Sequence, residues 1–184
     1  MITLLFLLFV FIFIVLVAAV GMYNGLVASR NRVDNAWHQI DVQLKKRHDL
    51  IPNLVETVKG YAAHEKSTLD MVTNARSKVA AAATLGEQVR AENQLTQALR
   101  GLLAIAEAYP DLKANQNFLM LQEELAGVES KIAYARQFYN DSVMAYDTRR
   151  QSFPWSLVAG FGNFGPREYL AVDETDREAP KVAF

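Results

Sequence analysis

The sequence predicts an all-α protein: an N-terminal transmembrane helix followed by a helical bundle. Three observations carry that prediction. The first 22 residues hold an unbroken apolar run, the apolar residues beyond it recur at steps of three and four, and no strand-like alternation interrupts them. The chain divides on this basis into an anchor over 1–22, a bundle over 23–150, and an apolar C-terminal segment with a polar tail over 151–184.

The anchor is the sharpest of these elements. Between Ile2 and Met22 there is no charge and only one mildly polar side chain, Thr3. At about 1.5 Å per residue this stretch spans about 31 Å as a helix, which matches a hydrocarbon core of about 30 Å. A cleaved signal peptide would want a basic segment ahead of the apolar run and an A-x-A-like exit; no basic side chain stands between Met1 and the run, "VAAVGMYNG" offers small residues but no clean A-x-A site, and no cysteine follows for lipid attachment. The reading is therefore an uncleaved single-pass span. The nearest side-chain positive charges, Arg30 and Arg32, lie on its C-terminal side, which places the following domain in the cytoplasm.

The bundle begins with a stripe of Leu26, Val33, Trp37, Ile40 and Leu44. Only the single glycines Gly21 and Gly25 stand between the span and this stripe, so span and first bundle helix read as one continuous rod. Pro52 lacks a backbone donor and either kinks that helix or restarts it, with Asp49 near the new cap. Leu54, Val55, Val58, Tyr61 and Ala62 form the next apolar face, and Leu69, Val72, Ala75 and Val79 continue a helical period as far as a boundary at Gly86. A further helix covers about Glu87 to Ala108, and "YPDLKAN" then reads as a turn at Pro110 and Asp111. The last helix is the most regular. Phe118, Leu121, Leu125, Val128, Ile132, Ala135, Tyr139, Ser142 and Tyr146 form a heptad seam, which needs a helical partner within the chain or in another copy.

Composition narrows the function. With 19 basic and 20 acidic residues the net charge is −1, so nucleic acid is not an expected partner. The chain has no cysteine, which removes thiolate chemistry. The three histidines, His38, His48 and His64, lack the one-turn spacing of a helical metal site, and there is no nucleophile elbow or phosphate loop. Glu123, Glu124 and Glu129 read as a solvated face. The expectation is a non-enzyme with no cofactor and no metal.

Two stretches remain as candidate interaction surfaces. "QIDVQLKKRHDLIPNL" (39–54) carries Lys45, Lys46 and Arg47 beside the apolar stripe, where they read as a solvated helix face or a surface for an acidic partner or anionic lipid; Asp41 and Lys45 have the favourable acid-first spacing of a helical ion pair. "SFPWSLVAGFGNFGPREYL" (152–170) carries Trp155, Phe161 and Phe164 among Pro and Gly, a composition that holds no long helix. Such a segment packs on the bundle's own end, on a neighbouring subunit, or at the membrane interface, where Trp is well suited.

Long words of this sequence resemble the LemA family: residues 23–65, "YPDLKANQNFLMLQEELAGVESKIAYARQFYNDSV" (109–143), the 152–170 segment and the closing "EAPKVAF". The resemblance covers nearly the whole chain. It implies a single-pass protein of the bacterial inner membrane with a long antiparallel helical bundle, related to a group tied to building magnetosome membranes. It implies no catalytic residues, and His38 and His48 are departures from the family's words. The function expected from the residues and the resemblance together is a membrane-anchored helical scaffold that self-associates as a homo-oligomer and organises or shapes the bilayer. The alternative is a monomeric adaptor or regulator of another membrane protein, such as an envelope protease.

Overall fold

The computed structural model describes residues 1–170, apart from the side chain of Leu85; the polar tail read from the sequence lies outside the described residues. The described chain forms α1 (Ile2–Tyr61), α2 (Lys66–Ala81), α3 (Leu85–Ala108), α4 (Pro110–Lys113), α5 (Gln116–Gln151) and α6 (Trp155–Phe161), with no strand among the described residues. The all-α reading holds. Two compact units share these helices: one holds Met1–Gln39 with Ala135–Phe184, the other Ile40–Tyr134.

The first unit contains the apolar span. Side chains from Leu4 to Val17, apart from the half-buried Val10, are exposed in the protein alone, as suits a helix whose solvent is lipid. Beyond the span, α1 and α5 lie antiparallel. Arg149 donates to the Gly25 carbonyl, while ten to twelve residues along α1 the Trp37 ring meets Tyr139 edge-on at 5.8 Å. Leu26, Val33 and Ala36 of α1 are buried, as are Tyr139, Val143 and Tyr146 of α5.

The second unit has the aliphatic core. Ile51, Leu54, Val58 and Ala62 meet Leu69, Val72 and Ala75 of α2, Leu95, Leu99, Leu102 and Ala106 of α3, Leu112 of α4, and Phe118 and Leu125 of α5. Steps of three and four put each set on one helix face. Each fully buried Leu or Ile here contributes roughly 1.5–3 kcal/mol relative to exposure.

Four outcomes refine the sequence reading. Pro52 does not restart a helix, since α1 continues through it to Tyr61. The boundary drawn at Gly86 falls at Thr84 instead. That residue caps α3 in a reciprocal box, its hydroxyl accepting from the Glu87 amide at 3.3 Å while the Glu87 carboxylate accepts from the Thr84 amide at 3.2 Å. Pro110 opens a short helix rather than a bare turn, its missing donor costing nothing in the first turn. The heptad seam is satisfied inside the chain: Phe118, Leu125, Val128, Ile132, Ala135, Tyr139, Ser142 and Tyr146 are buried in a single copy, and Leu121 is partly buried against the core.

Candidate functional site

Lys45, Lys46 and Arg47 separate on folding. Lys45 is exposed, and Lys46 is exposed with a surface pair to Glu124 at 3.2 Å. Arg47 is not a surface residue, a correction to the sequence reading: it is only 1% exposed. It falls one step of three beyond Leu44 and one of four before Ile51, both buried, so the helical period carries it inward. Its guanidinium donates to Thr96 Oγ1 at 2.9 Å, to Glu129 Oε1 at 2.7 Å, and to the buried Glu92 carboxylate. Glu129 therefore also leaves the solvated face to which it was assigned; its side chain is 34% exposed. Arg47 is the right residue for this place because its planar fork reaches three acceptors on two other helices.

Polar residues continue around that cluster. Gln43 Oε1 and Arg47 Nε, one helical turn apart, are both buried without a protein partner. His48 is held below its ordinary pKa, first by burial and then by the positive charge of Arg76. No group of three His, Asp or Glu side chains suited to a metal ion occurs among the described residues.

The C-terminal candidates belong to the first unit. Trp155 is half-buried and sits against Gly25, with the Arg149 guanidinium over its ring at 5.2 Å. A side chain at position 25 would collide with it: a Cβ there would lie 2.6 Å from Trp155 Cη2. Phe164 is buried, which fits the reading that the segment packs on the bundle's own end and removes it from the candidate surface: it inserts between Tyr23, edge-on at 5.4 Å, and Arg30, stacked over it at 5.3 Å. Phe161 remains 93% exposed.

After Phe164 the chain is pinned along α5 by hydrogen bonds to its backbone. Tyr146 Oη donates to the Gly165 carbonyl at 2.8 Å, and Tyr139 Oη to the Glu168 carbonyl at 2.9 Å. Asn140 both donates to and accepts from the Leu170 backbone. Arg167 pairs with Asp34 at 2.9 Å. Burial pushes both tyrosine hydroxyls above their ordinary pKa, so they stay protonated donors. Sequence reading missed these clips. Their one signal was the seven-residue spacing of two tyrosines in a seam otherwise mostly free of polar groups.

The helical domain that follows the apolar stretch, with its C-terminal segment, matches one family model, described as LemA family, over residues 36–184. The chain belongs to the LemA family. It is 28% identical over 142 residues to Protein LemA of Metamycoplasma hominis, covering 76% of this chain and 64% of that protein. It is 23% identical over 174 residues to Magnetosome protein MamQ 2 of Paramagnetospirillum magneticum, and 24% identical over 174 residues to Magnetosome protein MamQ of Magnetospirillum gryphiswaldense, covering 80% of this chain and 64% of the relative in each case. The chain thus spans less than two thirds of the length of these curated relatives. Family and apolar helix together describe a membrane-associated helical protein.

Proposed function

We propose that this LemA family protein is a membrane-anchored helical scaffold that self-associates and organises the bacterial inner membrane, with its bundle on the cytoplasmic side. The observation that carries the reading is the combination of an apolar span with large apolar side chains left outside the second unit's core. Val42 on α1 is 61% exposed, and Met120 and Tyr134 on α5 are 67% and 74% exposed. The seam is consumed within the chain, so contacts between copies fall to such outward residues. Anchoring confines copies to a surface, where weak lateral contacts gain from raised effective concentration. Similarity to the magnetosome proteins supports a membrane-organising role. The cytoplasmic assignment rests on Arg30 and Arg32 beside the span.

The test is the mass of the full-length protein extracted directly into native lipid particles. A multi-copy particle that falls apart in Met120→Glu/Tyr134→Glu, with helicity unchanged, is expected. A single chain per particle at every expression level overturns the scaffold. It would favour an adaptor, for which exposed Lys45 and Lys46 offer the contact, and charge reversal there should then abolish one specific co-purification.

A further inference from the structure

Helix α6 and the turn that leads into it stand out in the first unit because their outward side chains are apolar. Leu157 and Phe161, one helical turn apart, are 57% and 93% exposed, and Phe153, just ahead of the helix cap, is 81% exposed. The opposite face, with Trp155, Val158 and Ala159, is packed or partly packed. The helix is thus apolar on both faces, and only one of them has a partner within the chain.

The position of α6 along α1 accounts for the unpartnered apolar face. Trp155 rests on Gly25, and Phe164 on Tyr23. The apolar span ends at Met22, and three residues of helix advance only about 4.5 Å. Past Phe164 the chain runs back along α5, from Tyr146 at Gly165 to Asn140 at Leu170, while Arg167 reaches Asp34. The segment 153–164 is therefore the part of the C-terminal region level with the end of the span. The headgroup layer, roughly 5–7 Å deep on each side of the hydrocarbon core, begins there.

We infer that α6 is a second membrane contact, a foot that sinks Phe153, Leu157 and Phe161 into the bilayer surface crossed by the same chain's span. The occupant of this apolar face is phospholipid. The face is continuous with the lipid-facing surface of the span, since Tyr23 and Gly25 underlie the foot one residue and three residues beyond Met22. Aromatic side chains favour that boundary, and an exposed arginine, Arg149, stands over Trp155 where lipid phosphates lie. The foot also fixes the tilt of α1, because a span held at one point by its own ends is otherwise free to lean. This inference rests on the span crossing a bilayer and is independent of self-association.

The chain has no cysteine, so one introduced cysteine labels one site. Spin labels at Phe153→Cys, Leu157→Cys and Phe161→Cys in the full-length protein, in phospholipid nanodiscs, should collide more with oxygen than with a water-soluble nickel relaxant. A label at Met144→Cys, exposed on α5, should show the reverse, and one at Phe9→Cys should show the lipid pattern. Labels at 153, 157 and 161 that behave like the one at 144 overturn the foot. Labels there shielded from both relaxants also overturn it and assign the face to a second copy. Loss of the lipid pattern at 9 would instead strike at the span itself. Each substituted position is solvent-exposed, so failure to fold does not enter.

Discussion

The two units hold themselves together in different ways. Ile40–Tyr134 is an aliphatic core around one buried ionic cluster, whereas the unit of Met1–Gln39 and Ala135–Phe184 relies on rings and on phenols that donate to backbone carbonyls. Five helices converge in the former, and periodic Leu, Ile and Val suffice. The latter must hold an irregular segment, whose backbone groups need partners that no helix supplies. Tyrosine meets both demands, with an apolar ring for the seam and a hydroxyl for the carbonyl beyond it.

The ionic cluster gives the largest expected effect. Removing one member of a buried pair strands the other, at about 3–5 kcal/mol. Arg47→Leu should destabilise the second unit by that order, because Glu92 is buried with its partner gone. Arg47→Leu/Glu92→Leu should recover most of the loss, since Glu129 can turn to water. Chemical denaturation, with hydrogen exchange resolving 40–134, measures both. A single variant as stable as wild type would remove the cluster from the account of that unit.

How much of this was legible follows the same division. Leu95, Leu99 and Leu102, and the seam from Phe118 to Tyr146, announce themselves by period, and all but the half-buried Leu121 are buried. Arg47 was misplaced because its charge was weighed above its phase, although 40, 44, 47 and 51 step by four, three and four. Thr84 and Glu87 carried a readable capping signature that was passed over for the nearby glycine. Phe164 had no comparable signal. Nothing in "GFGNFGPRE" distinguishes a buried Phe164 from an exposed Phe161, because tertiary contacts with Tyr23 and Arg30 alone decide it.

The first unit should respond most to Gly25. Gly25→Ala sets a methyl against the Trp155 ring, and overpacking of this kind costs about 1–3 kcal/mol. The effect should stay local: faster hydrogen exchange over 153–164 and a changed Trp155 emission, with 40–134 unmoved. Faster exchange of both units together would mean that they do not open separately.

A smaller change is expected at the clips. Tyr146→Phe keeps the ring and leaves the Gly165 carbonyl without its donor, worth about 0.5–1.5 kcal/mol. Tyr139→Phe should cost a similar amount at Glu168. The double variant should loosen 165–170 in hydrogen exchange while the seam itself stays protected. If either variant instead exposes Val143, the tyrosines matter through packing rather than through their hydroxyls.

The smallest effect lies in the second unit and depends on pH. The Ala83 amide, then the Thr84 amide and hydroxyl, hold the Glu87 carboxyl below its ordinary pKa. A carboxylate whose folded pKa is depressed contributes stability above its unfolded pKa and loses it as pH falls through the folded value. Glu87 is fully exposed, so the change in thermal midpoint should be slight and confined to acid. Glu87→Gln retains an acceptor for the cap but cannot titrate. Its melting curve from about pH 6 to about pH 3 should therefore fall less steeply than that of wild type. Equal slopes would mean that the start of α3 is held by its packing in the core, and that the capping box follows the helix rather than fixing where it begins.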